Sequence, residues 1–287
     1  SATDAANAIN VLVRAGYDLA DAQKLARNAM QLAIVTQQDT GESTTLLTDV
    51  MATSQLGTQD ATFAIDRLAQ AEILGKGKVA DLAESVKYSG TSFKALYGDT
   101  LNSRDGFEQL IGTLLVFDNA GIRGSLAGTM LNRMMADFAT PTGKADTELN
   151  KLTQTLNKTN PEMLKGGTIT RDYAGNVRPI ADIVKNMEAA TAGYSKTEHD
   201  AALNTVLTTN GLRAYQVILG QGTEKIGQYT AKVHQADGAG QKLAEGSRGP
   251  LAKAIENIGS TLSTLSNDFI LAFGPQLTDV ITTVTGV

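Results

Sequence analysis

Apolar positions recur at three- and four-residue spacing along most of this sequence, the period of an amphipathic α-helix. Leu19, Ala22, Leu25, Ala26, Ala29, Leu32 and Ala33 share one face, and after a break from Gln37 to Glu42 a second face starts at Leu46, Leu47, Val50 and Met51. Phe63, Ile65, Leu68 and Leu74 run to a break at Gly75-Lys76-Gly77, from which Val79, Leu82, Val86 and Phe93 carry the return. A third outward run, Phe107, Leu110, Ile111, Leu114 and Leu115, leads into the stretch from Phe117 to Phe138. There Gly121 and Gly124 bracket Ile122 and Arg123 in a turn, and Ser125 stands where an N-cap is expected. Leu126, Met130, Leu131, Met134, Met135 and Phe138 then form one broad apolar face, with Ala127, Gly128 and Thr129 offering a small patch for close helix approach. Gly16, Gly57 and Gly98 lie 41 residues apart, each after an apolar run and before an expected capping residue, Asp18, Thr58 or Asp99. The expected architecture over 1–139 is a stack of repeated helical hairpins, in an all-α protein.

Past Phe138 the texture changes. Thr140 to Gly143 reads as a loop, and Leu149, Leu152 and Leu156 as one more helix. The only alternating piece, 168–178, predicts at most one short β-hairpin. Pro179 opens a helix faced by Ile180, Ile183, Val184 and Met187, and a further pair follows through Leu203, Val206 and Leu207, then Leu212, Tyr215 and Ile218. These make a second helical region over 140–237. Residues 238–249 read as a glycine-rich hinge and 250–287 as a C-terminal amphipathic helix. Leu251, Ile255, Ile258, Leu262, Leu265 and Phe269 alternate at four and three residues, a heptad seam expected to self-associate or to meet the rest of a longer chain.

With 42% hydrophobic and 19% charged residues the chain has enough apolar material for a sizeable core, but with 5% aromatics and no tryptophan that core is aliphatic and alanine-rich. The net charge of −5 argues against sequence-independent binding of nucleic acid, and the absence of cysteine removes disulfides and thiolate metal sites. No apolar run reaches the length of a membrane span. Ser1 is followed by no signal-peptide pattern, and the expectation is a piece excised from a longer protein.

The residues that carry chemistry elsewhere are sparse. His199 and His234 stand 35 residues apart, with no carboxylate or cysteine pattern suggesting metal ligation or a base for a nucleophile. Each Gly-Lys pair lacks the following serine or threonine of a P-loop, no Gly-x-Ser-x-Gly elbow occurs, and Gly220-x-Gly222 lacks the third glycine of a dinucleotide site. No catalytic, cofactor-binding or metal-binding residue is expected.

The string Asn119, Ala120, Gly121, Ile122, Arg123, Gly124, Ser125, Leu126, Ala127, Gly128, Thr129 resembles the signature of the core region of phage tail tape-measure proteins. Ala15 to Asp18, Leu82 to Tyr88, Asp172 to Pro179 and Thr209 to Ala214 are similar to other pieces of that family in the same order, with Asn210 in place of the family's aromatic. The resemblance implies a structural tail protein acting in tail assembly, length determination and genome ejection. The implied partners are further copies of itself, tail-tube and tail-tip proteins, assembly chaperones and, during ejection, the host envelope. Its implied location is the virion tail, assembled in the host cytoplasm. The alternative is a cell-wall-degrading or membrane-active module of a tail protein.

Overall fold

The computed structural model describes residues 2–98 and 100–246. The seam from Leu251 to Phe269, the expected cap Asp99 and the end of the expected hinge lie outside the described residues. What is described is all-α: fourteen α-helices, one 3-10 turn and, among the described residues, no strand. They form two compact units, 2–45 with 241–246, and 46–240.

In the first unit, α1 (Ala2–Arg14) and α2 (Leu19–Thr36) make a hairpin. Gly16 sits at φ +97°, with its N–H donating to Val13 and that of Tyr17 to Leu12, the paired bonds that close a helix through a left-handed glycine. Asp18 caps α2 as the sequence predicts, its carboxylate accepting from the Asp21 N–H at 2.8 Å. Ala8, Leu12, Leu25, Ala26, Ala29 and Leu32 are fully buried.

The second unit holds the stack. After α3 (Thr40–Ser54) come α4 (Ala61–Leu74), α5 (Val79–Tyr97), α6 (Ser103–Asn119) and α7 (Gly124–Ala139). Hydrogen bonds between successive hairpins join residues 39 to 44 apart: Arg104 to Asp60, Arg67 to Glu108, Ser85 to Gly124, Ser92 and Tyr88 to Asn132. The partners advance together along both helices, so α4 runs parallel to α6 and α5 parallel to α7. Over this one step, from α4–α5 to α6–α7, the offset matches the 41-residue spacing in the sequence, whereas α2 pairs with α1 as its hairpin partner. The punctuation of that spacing differs from expectation. Only Gly16 of the three glycines is left-handed; Gly57 (φ −78°) precedes the 3-10 turn Thr58–Asp60, and Gly98 (φ −62°) closes α5. Asp60, not Thr58, accepts the Gly57 N–H, and Asn102 caps α6 through the Asp105 N–H.

The rest of the unit comprises α8 (Lys144–Thr159), α9 (Pro161–Leu164), α10 (Ile180–Thr191), α11 (Lys196–Val206), α12 (Thr209–Gln221) and α13 (Glu224–His234). α12 packs on α7 and α13 on α6, while α10 and α11 pack on α8. Gly112 of α6 lies so close to α13 that a Cβ there would stand 2.8 Å from the Thr230 nitrogen. Residues 168–178 contain a single antiparallel bridge, Arg171 to Val177, and are a stapled turn. The segment read as a hinge contains a helix, α14 (Ala239–Gly246), because Asp66 of α4 accepts the N–H groups of Gly238 and Gly240, both at 2.9 Å, and so anchors its first turn.

Candidate functional site

The signature residues form the joint between α6 and α7. Gly121 (φ +85°) ends α6: its N–H donates to Asp118 and that of Ile122 to Phe117, which satisfies carbonyls the helix end would otherwise orphan. Asn119 adds a bond from its amide to the Leu115 carbonyl. Ala120 is exposed, and Ile122 and Thr129 are half-buried.

Asp118 sits at the centre, its side chain 3% exposed. Oδ1 pairs with Arg123 Nε at 2.6 Å, and Oδ2 accepts the backbone N–H groups of Lys76 (2.5 Å) and Gly77 (3.0 Å) in the turn between α4 and α5. Lys76 Nζ returns to the Asn119 carbonyl at 3.1 Å. One buried carboxylate thus ties together the end of α6, the turn after it and the turn one hairpin earlier. Both oxygens are supplied with donors, the condition under which a buried charge is tolerated. Gly75 and Gly77 are glycine because a Cβ on either would collide with the Asp118 carboxylate, and one on Gly77 would also stand 2.9 Å from Arg123 Cδ.

Gly124 (φ +59°) is the first residue of α7, so Ser125 lies inside the helix and does not cap it; Arg123 occupies the cap position without a capping bond from its side chain, which pairs with Asp118 instead. Ser85 of α5 hydrogen-bonds the Gly124 carbonyl at 2.9 Å. One turn on, Gly128 packs against the backbone of α5, where a Cβ would collide with the Ser85 carbonyl and stand 2.6 Å from Tyr88 Cβ. Asn132 follows at the next turn, donating to the Tyr88 carbonyl at 2.8 Å and accepting from Ser92. Ala127, Met130, Leu131, Met134, Met135 and Phe138 are buried as expected, but Leu126 is 52% exposed, since the helix turns that position away from both α5 and α6. The polar groups of this stretch are spent on joining helices: Asp118 bonds the turn between α4 and α5, and Gly124 and Asn132 bond α5.

A second polar cluster lies deeper in the stack. Arg67 of α4 and Glu108 of α6, both buried, pair at 2.9 Å; Arg67 also holds Asp237 and the His234 carbonyl, and His234 Nδ1 meets Glu108 Oε2 at 2.7 Å. Arg67 stacks 4.0 Å from the centre of the Phe63 ring. The Glu108 carboxylate holds His234 above the ordinary imidazole range, and Arg67 holds Asp237 below the ordinary carboxylate range. No spacing in the sequence marks these groups, because they come from four elements; the nearest signal is the 41-residue offset between Arg67 and Glu108.

Comparison with known proteins decides what kind of protein carries this joint. The family of phage-related minor tail proteins matches residues 1–207. The chain belongs to that family of phage tail proteins. It is 25% identical over 287 residues to the tape measure protein of Pneumococcus phage Dp-1, covering all of this chain and 23% of that protein. It is 24% identical over 249 residues to the probable tape measure protein of Escherichia phage P2, covering 85% of this chain and 28% of that protein. The chain therefore spans about a quarter of the length of these curated relatives. No solved structure matches it. That membership, with the likeness to two tape measure proteins, agrees with the resemblance carried by Asn119 to Thr129 and places the chain among proteins of the virion tail.

Proposed function

We propose that this chain is the folded helical module of a tape-measure protein, acting by contact and not by turnover in tail assembly, length determination and genome ejection. The observation that carries this reading is the match along the whole chain to one quarter of a tape measure protein, combined with a signature stretch whose residues are spent on helix joints. A compact stack is a poor ruler, because its extent grows by stacked hairpins and not by helix rise. The length-setting part belongs to sequence outside this module, where a continuous helix adds about 1.5 Å per residue. Copies associate in the tail, with the seam from Leu251 through Ile255, Ile258, Leu262 and Leu265 to Phe269 as one self-association surface. Tail-tube and tail-tip proteins, assembly chaperones and the envelope met during ejection are the further partners of this reading.

The test is made in the full-length protein. Helical heptads inserted outside this module should lengthen tails seen by electron microscopy by about 1.5 Å per residue. Tails of unchanged length would overturn the length-setting role.

A further inference from the structure

Tyr173 is the most exposed large apolar side chain among the described residues, at 83%. It stands at the tip of a turn that is held unusually well for a segment adding nothing to the core at that point. Asp172 Oδ1 accepts the N–H groups of Ala174 and Asn176, both at 2.9 Å, and Gly175 takes φ +89°. Arg171 reaches the Gly175 carbonyl at 2.9 Å and the Ala139 carbonyl at 3.1 Å. Arg178 donates to the carbonyls of Thr168, Arg171 and Leu164, and its own carbonyl accepts from the Tyr97 hydroxyl. A rigid aromatic on a preorganised backbone loses little entropy on docking, which is the character of an interface anchor.

The same unit carries a groove of about 390 Å³ between α8 and α11, lined by Glu148, Lys151, Tyr194, Glu198, Ala201 and Thr205. Its size suits a small ligand or one large side chain. The Ile169 N–H, at the root of the turn, bonds Thr153 on α8 at 3.3 Å. At about 100° per residue, Glu148 and Lys151 lie roughly 140° and 160° around α8 from Thr153. A chain's own turn and groove therefore point away from each other. The turn region 160–178 carries Lys165, Arg171 and Arg178 against Glu162 and Asp172, a net +1, in a chain of net −5. The groove carries Glu148 and Glu198 against Lys151, a net −1.

We propose that Tyr173 of one copy docks in the α8–α11 groove of a second copy, a head-to-tail contact in which each chain offers one turn and one groove. Such a contact is heterologous, so it propagates into a ring or a filament and does not close as a two-fold dimer. It uses surfaces separate from the seam at 251–269, and stands or falls apart from it.

Because the 287-residue chain lacks cysteine, the contact is tested by site-specific crosslinking. Ala174→Cys marks the turn and Ala201→Cys the groove, both at exposed positions. Under mild oxidation, a mixture of the two variants should give a disulfide-linked dimer in excess of either variant alone. Adding Tyr173→Ala to the turn variant should cut that yield about tenfold. A mixture that gives no more dimer than the separate variants, or a yield unaffected by Tyr173→Ala, overturns the proposal.

Discussion

Asp118 and Arg123 face each other across the turn that joins α6 to α7, five residues apart, with Oδ1 and Nε 2.6 Å from one another. The Asp118 side chain is buried and that of Arg123 is 35% exposed, so the pair binds the inside of the stack to its surface. Arg123 is held by its neighbour and does not simply solvate.

Replacing Asp118 by asparagine keeps the shape and removes the charge. The amide can still accept from one partner, but its NH2 then faces the N–H groups of Lys76 and Gly77 or the Arg123 guanidinium, donors against donors. The loss expected is about 1 to 3 kcal/mol, read from urea unfolding at unchanged helical content.

Arg123→Ala leaves the buried Asp118 carboxylate with donors on Oδ2 alone, and water entering where the Arg123 side chain was 35% exposed restores only part of the loss, so the expected cost is about 1 to 3 kcal/mol. The loss should shrink in the Asp118→Asn background. A double-mutant cycle that gives additive values would separate the two residues and refute the joint.

His234 introduces a dependence on pH. Its folded pKa is raised by Glu108, so the stabilisation it adds is fully present below the unfolded value, near 6.5, and disappears as pH rises through the folded value. Its side chain is 70% exposed, so the effect is a modest slope. His234→Gln should flatten the fall in stability between about pH 6 and 8 that the native chain shows. A slope of the same size in the variant would assign it to other groups.

Much of this was legible in the sequence where one helix decides for itself. The apolar faces of α2, α4 to α7 and α10 are where 3.6-residue periodicity puts them, and Asp18, Gly121 and Gly124 take the geometry their residue types suggest. The sequence misled where a cap depends on register: Ser125 sits one residue inside α7, and Asn102 caps α6 where the spacing pointed to Asp99. Leu126 fits a wide apolar stripe but falls just off the narrower face that α5 and α6 cover. α14 was hidden because glycine-rich composition speaks against a helix, while the carboxylate of Asp66 that anchors it lies 172 residues away from Gly238. The same distance problem hid Asp118, an ordinary acidic residue until the turn at Gly75 to Gly77 arrives 41 and 42 residues off.

Gly128 tests most directly whether the signature stretch acts as a mechanical joint. Gly128→Leu should drive a side chain into the Ser85 carbonyl and Tyr88, costing about 1 to 3 kcal/mol or more, so that melting temperature and tail assembly are lost together. A Gly128→Leu protein that melts like the native chain yet abolishes tail assembly would show that the stretch is a recognition surface, and would contradict the account.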